Sequence, residues 1–255
     1  MEPPLLLTFD GAVATVTLNR PTKRNALSSA QWAALPEVIA QACERAETRV
    51  IVVRGAGGNF AAGADIDEFG TVFASRDSTL DYLELMSAAT CAIAAAPLPV
   101  IAYIEGLCIG AGVAVALGCD VRMADPSASF AVTPAKLGLL YSLTDTSRLV
   151  AAVGSSRAKD LLFTGARIDA AQALAIGLVD AIGDAAALTA KLELIAANSA
   201  WSHAHTKRVV ALARDGIQPD TDITRGWFAD ASETADFAAG LAAFRERRKP
   251  GFPSR

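Results

Sequence analysis

Three short runs of β-branched and apolar residues, at positions 50–54, 100–104 and 121–124, are separated by segments with helical patterning. That alternation restricts the chain to a layered α/β core. Ahead of it, residues 5–9 and 13–18 are two further β-rich runs around Asp10-Gly11, a dipeptide suited to the positive φ angles of a tight turn, so the chain is expected to open with a hairpin. A helix is expected from an N-cap at Ser28 or Ser29 to about residue 47, kinked or shortened by Pro36. After about residue 185 the strand patterns stop, and helical patterns at 185–197, 202–214 and 235–248 take over. The expected organisation is a core over residues 1–184 carrying the site and a helical region over residues 185–255.

Two segments dense in small residues follow the first two core runs: Gly55-Ala-Gly-Gly-Asn-Phe-Ala-Ala-Gly-Ala-Asp-Ile66 and Gly106-Leu-Cys-Ile-Gly-Ala-Gly-Val-Ala-Val-Ala116. Each is read as a strand handing over to a helix. Small residues there let a ligand come close to the backbone, and helix-start N–H groups have no intrahelical partner, so they can be offered to an anionic oxygen. Either segment alone could be no more than a turn. Neither has the spacing of a dinucleotide fingerprint or the Gly-Lys-Ser/Thr of a phosphate loop.

Composition narrows the classes further. A chain of 255 residues that is 52% hydrophobic can bury a substantial core, and a net charge of −4 gives no general attraction for nucleic acid. The amino terminus lacks the basic start and apolar run of a secretory signal, so a cytoplasmic location is expected. Residues 85–104 form an uncharged stretch that reaches spanning length, but Pro97 and Pro99 break it into a helix and a strand, so no membrane span is expected. Cys43, Cys91, Cys108 and Cys119 have no paired spacing, which points to reduced thiols and no metal site. His203 and His205 fall in a carboxy-terminal helical pattern without a nucleophile elbow, against both a serine hydrolase and a metal centre.

The chain resembles the enoyl-CoA hydratase/isomerase (crotonase) family. The matching pieces are Asn19-Arg-Pro-Thr-Lys-Arg-Asn-Ala-Leu27, Phe60-Ala-Ala-Gly-Ala-Asp-Ile66, Pro99-Val-Ile-Ala-Tyr-Ile-Glu-Gly106, Gly110-Ala-Gly112, Cys119-Asp120, Thr164-Gly165, Gly177-Leu-Val179 and Arg248-Lys-Pro-Gly-Phe252, which span nearly the whole chain. The resemblance implies a spiral of ββα units with a helical C-terminal trimerisation region, and a homo-oligomer that is a trimer or a dimer of trimers. It implies a coenzyme A thioester as substrate, with no separate cofactor. Its carbonyl oxygen would be held by the N–H groups of Ala64 and Ala111. The nucleotide part of coenzyme A would lie near Lys23, Arg24, Ala26, Ala62, Asp65 and Ile66, and Thr133 and Pro134 would line the acyl site. Asp67 stands where relatives often carry a lysine that reaches a phosphate, so cationic help is sought instead in the run from Arg247 to Lys249.

The hydratases of this family use two glutamates, one to activate water and one to protonate carbon. Alignment puts Ala114 and Pro134 at those positions, and neither side chain moves protons, so true hydration is expected to be weak or absent. An aspartate that other members carry is replaced by Ser142, and Asp145 lies three residues on, read as a solvated or capping residue. Tyr141 stands in a stretch similar to the family's methylmalonyl-CoA decarboxylases, where a tyrosine hydroxyl can deliver a proton after carbon dioxide leaves. The alternatives are thus a decarboxylase and a non-catalytic acyl-CoA binding subunit.

Overall fold

The computed structural model describes residues 3–253. Strands β1 (Leu5–Asp10) and β2 (Val13–Leu18) form the opening antiparallel hairpin, with Asp10 opposite Val13. The two-residue turn is therefore Gly11-Ala12, one position beyond the expected Asp10-Gly11. Asp10 stays in the ladder, and Gly11 takes the positive φ of 51° that the turn requires. Helix α1 (Ser29–Glu44) starts on a capping box between Ser28 and Gln31. It runs through Pro36, which costs it one backbone hydrogen bond, because Trp32, Leu35 and Ile39 hold both halves against the core.

The next elements are β3 (Val50–Gly55), α2 (Phe69–Val72), α3 (Arg76–Ala95), β4 (Val100–Ile104), β5 (Leu107–Ile109), α4 (Ala111–Gly118), β6 (Val121–Ala124) and β7 (Ser129–Ala131). Then come α5 (Leu143–Val153), α6 (Ser155–Thr164), β8 (Ile168–Asp169), α7 (Ala170–Ala175) and β9 (Ala181–Ile182). The larger sheet has the order β1-β2-β3-β4-β6-β9 and is parallel from β2 onward; the smaller has the order β5-β7-β8. The residues expected to form a long uncharged stretch divide at Pro97 and Pro99 into α3 and β4, and no helix among the described residues is long and apolar enough to cross a membrane.

Parallel strands are covered on both faces, which is why the core runs read as continuous apolar blocks with no alternation. One face of β3 and β4 presents Ile51, Val53, Val100, Ala102 and Ile104 to a core shared with Trp32, Leu35 and Ile39. The other presents Val50, Val52, Ile101 and Tyr103 to Leu188 and Leu192 of α8 (Ala185–Ala196). Beyond it lie α9 (Ala200–Arg214), α10 (Asp222–Ala231) and α11 (Ala235–Arg245). Sequence patterning did not mark α10, whose ten residues include no buried side chain. Its start is fixed by a capping box at Thr221 and Thr224.

The cap of α1 makes a direct test of local encoding. Ser28→Ala removes the acceptor for the Gln31 N–H and is expected to lower stability by about 0.5–2 kcal/mol, read as a shift in the urea unfolding midpoint.

Candidate active site

Beyond β3, the segment 60–64 lies between two neighbours. On one side Ala61 forms an isolated parallel bridge with Cys108: its N–H donates to the Leu107 carbonyl at 2.8 Å, and its carbonyl accepts from Ile109 N–H at 2.9 Å. On the other, Ala64 bridges Leu27: Leu27 N–H donates to the Gly63 carbonyl at 2.8 Å and Asp65 N–H to the Leu27 carbonyl at 2.9 Å. In a parallel bridge the flanking residues face the partner, so the N–H of Ala64 itself points away from Leu27.

The Ala61–Cys108 register has a second consequence. Ala64 and Ala111 each lie three residues beyond a bridged residue on segments that start side by side. Close approach is built into the sequence here: a Cβ on Gly112 would sit 2.7 Å from the Ala61 carbonyl oxygen. Gly110, the N-cap of α4, has φ 50°, and Ala111 is not among the positive-φ residues. Ala111 is the first residue of α4, so its N–H is one of the orphan donors of a helix start. Ala64 is different. It belongs to an extended bridge leading into a short 3-10 turn at Ile66–Glu68, so the expectation that both donors open helices holds only for Ala111. Among the described residues, neither N–H has an acceptor.

Both alanines line one cavity of about 430 Å³. Of the residues singled out in the sequence, it brings together Ala62, Ala64, Ile66, Ala111, Thr133, Pro134 and Tyr141, with Ala114 beside them. The walls are mostly apolar, and Ile66, Leu137, Leu140 and Leu143 line it while remaining exposed. The Tyr141 hydroxyl donates to the Gly110 carbonyl at 3.2 Å. Burial, followed by the nearby Asp145 and Cys108, pushes its pKa well above the ordinary tyrosine value.

Lys23, Arg24, Ala26 and Asp65 do not line the cavity; the first three lie on the loop before Leu27, and Asp65 follows Ala64 on the segment bridged to it. Arg24 accepts the Ala62 N–H on its carbonyl at 2.9 Å, and its exposed side chain has no ion-pair partner among the described residues. Lys23 is paired with Asp67, which raises its pKa through that hydrogen bond and the opposite charge. In the carboxy-terminal basic run, Arg248 is paired with Glu246. Asp65 is a fastening: buried, it accepts from Arg20 Nη2 at 2.7 Å, while Arg20 Nη1 donates to the Ala26 carbonyl at 2.7 Å. Burial pushes the Asp65 carboxyl up, but the Arg20 hydrogen bond and the Asp67 N–H outweigh it and the pKa falls below the ordinary value.

Asn25, held at φ 57°, donates to the Ala56 and Asn59 carbonyls and accepts the Arg20 N–H. Sequence reasoning did not single out Arg20 or Asn25. Both lie inside the quoted Asn19–Leu27 stretch, and asparagine is a residue type that tolerates the left-handed backbone found at Asn25. His203 lines a separate cavity with Lys207 and Asp120, and His205 stacks on Trp201 at 3.8 Å, so neither reaches the site.

The sequence model for the enoyl-CoA hydratase/isomerase family matches residues 8–255. The chain belongs to that family. A family protein from Hyphomonas neptunium has a crystal structure that superposes with a TM-score of 0.96 at 39% identity, covering 99% of this chain and 98% of that one. The short-chain-enoyl-CoA hydratase of Clostridium acetobutylicum is 33% identical, over 98% of each chain. The mitochondrial enoyl-CoA hydratase domain-containing protein 2 of Bos taurus is 34% identical over 94% of this chain and 84% of that protein. The mixed α/β architecture is the crotonase fold of these structural neighbours, and the chain is an enzyme of the family by this relationship.

Asp65→Ala leaves Arg20 without its carboxylate partner and is expected to cost about 1.5–3 kcal/mol at neutral pH, the scale of a hydrogen bond to a charged group. Because the folded pKa is depressed, this contribution is present above the unfolded value of about 3.9 and is lost as pH falls through the folded one. Urea unfolding of wild type and variant is expected to converge in that acidic window.

Proposed function

We propose that the chain binds an acyl-CoA thioester in the cavity between Ala64 and Ala111 and stabilises negative charge on its carbonyl oxygen with those two backbone N–H groups. The observation that carries this reading is the pair of acceptor-free amides on segments held in register, both lining one mostly apolar cavity. Donors fixed in advance in a water-poor site favour an enolate oxygen over a neutral carbonyl. The nucleotide end of coenzyme A is assigned to the loop of Lys23, Arg24 and Ala26 with Ala62, Asp65 and Ile66. Arg24 is its cation, since Lys23 is engaged by Asp67. Thr133 and Pro134 contact the acyl part. No further cofactor is required for this chemistry.

The reaction is not ordinary hydration. Hydration needs one group to activate water and another to protonate carbon, and the two aligned positions are Ala114 and Pro134, both facing the cavity without an ionisable atom. Tyr141 supports the site by holding the Gly110 carbonyl next to Ala111. Exposed Phe228, Phe237 and Phe244 on the carboxy-terminal helices favour burial between copies, in keeping with a trimer or dimer of trimers.

A panel of acyl-CoAs, with products read by mass spectrometry, tests the assignment. Crotonyl-CoA hydration is expected to be about 10²–10⁴ slower for each missing proton-transfer group than in a relative that has both. Release of carbon dioxide from methylmalonyl-CoA would instead identify a decarboxylase, and binding without turnover a non-catalytic subunit. Ala111→Pro removes one donor at a first helical position, where proline is accepted. It is expected to lower turnover about 10²–10³-fold, and an unchanged rate would eliminate the amide pair as the centre of function.

A further inference from the structure

Several polar side chains on the wall of the acyl cavity are already satisfied by the protein itself. Thr79 Oγ1 donates to the Ser75 carbonyl at 2.7 Å, the Tyr141 hydroxyl to the Gly110 carbonyl at 3.2 Å and Ser142 Oγ to Asp145 Oδ2 at 2.7 Å. Two buried donors on the same wall are different. Trp32 of α1 is 0% exposed, and its Nε1 makes no hydrogen bond. Tyr82 of α3 is 4% exposed, and its hydroxyl has no acceptor among the described residues. A buried donor without an acceptor keeps its full desolvation penalty, and native structures rarely leave one.

The two donors are neighbours. Helix α1 packs against α3, and Trp32 Nε1 lies close enough to the Tyr82 oxygen to lower the pKa of that hydroxyl without completing a hydrogen bond. The Tyr82 ring stands edge-on to Phe73 at 5.8 Å, and Phe73 edge-on to Phe69 at 4.9 Å. All four rings line the cavity, and packing of this kind limits where the Tyr82 oxygen can go.

The surrounding charge decides what kind of acceptor fits. Glu68 Oε2 is held by the N–H and Oγ of Ser29 at 2.7 and 2.6 Å, and Asp65 is held by Arg20. Both carboxylates act on Tyr82. Burial is the main cause of its raised pKa; the Trp32 N–H opposes it, and Glu68 and Asp65 raise it further. A carboxylate brought beside Tyr82 would meet the same repulsion, whereas a neutral oxygen would not.

We propose that Trp32 and Tyr82 form a polar subsite inside the acyl cavity, and that the acyl group of the substrate carries a neutral hydroxyl or ketone oxygen that accepts a hydrogen bond from each. The inference rests on the thioester reading above, which puts the carbonyl at Ala64 and Ala111, and it adds a second oxygen on the same acyl group. A plain alkyl chain closing over the two donors leaves both in a dry space without a partner. A hydroxyl or ketone oxygen has two lone pairs and can satisfy both at once. The neighbouring Leu80, Leu83 and Met86 of α3 are apolar and suit the carbon skeleton. A site built to bond a substrate oxygen discriminates strongly against the analogue that lacks it, because its own buried groups are then left unpaired.

The experiment is a titration calorimetry panel on the whole protein. It compares hexanoyl-CoA with hydroxyhexanoyl-CoAs bearing the hydroxyl on the third, fourth, fifth or sixth carbon, and with adipoyl-CoA, which ends in a carboxylate. One hydroxyhexanoyl-CoA is expected to bind wild type about tenfold or more tightly than hexanoyl-CoA, and adipoyl-CoA no more tightly than hexanoyl-CoA. Tyr82→Phe removes one donor and keeps the ring, and it is expected to shrink that preference about 3–10-fold. Trp32→Phe is expected to act in the same direction. The preference is a ratio of two Kd values measured on one variant, so a general weakening of binding cancels, and a purely structural aromatic pair would leave the ratio at its wild-type value. The proposal fails if no hydroxyl position improves on hexanoyl-CoA, if adipoyl-CoA binds best, or if Tyr82→Phe keeps the full preference. In each of those cases the thioester reading survives; no binding of any thioester in the panel would remove that reading, and this one with it.

Discussion

The parallel bridge between Ala61 and Cys108 is the constraint on which the site depends. Four hydrogen bonds, two at Ala61 and two at Leu27, fix the segment 61–65 between a loop on one side and β5 on the other. A strand segment in such a position has no freedom to slide, because a shift of one residue would reverse which backbone groups face each neighbour. The direction of the Ala64 N–H follows from this register. Gly112 completes the arrangement by letting α4 begin against the Ala61 carbonyl, an approach that a methyl group would obstruct.

Around that frame the charges are arranged to fasten more than to react. Asp65, Arg20 and Asn25 consume their hydrogen-bonding capacity in joining the 20–27 loop to the 56–65 loop. Lys23 and Asp67 neutralise one another at the surface. What remains on the cavity wall is apolar, apart from a few hydroxyls and one carboxylate. An electric field from two fixed amides is least attenuated in such a low-dielectric space.

The α/β alternation was legible because the parallel strands are buried on both faces and so appear as unbroken apolar runs. The two small-residue segments were legible for a related reason: close approach to the Ala61 carbonyl excludes a side chain at Gly112, and a positive φ favours glycine at Gly110, so both leave a visible mark. Less was written locally about the rest. Asp10 in place of the turn, α10, and the extended setting of Ala64 depend on pairing partners or caps that periodicity does not reveal. Asp145 shows the limit most clearly. Sequence made it a solvated or capping residue, but the cap of α5 is Ser142, and Asp145 is buried against α3, Tyr141 and Arg148, contacts made only on folding.

The peptide bonds preceding Ala64 and Ala111 carry their hydrogens whatever side chain follows, proline excepted. On the proposed reading, substitution can therefore exchange the reagents around a bound carbonyl, as Ala114 and Pro134 would on the cavity wall, while the two amides stay where they are. A scaffold of this kind is free to drift among reactions that share one kind of anion, since each new chemistry needs a new side chain and no new backbone.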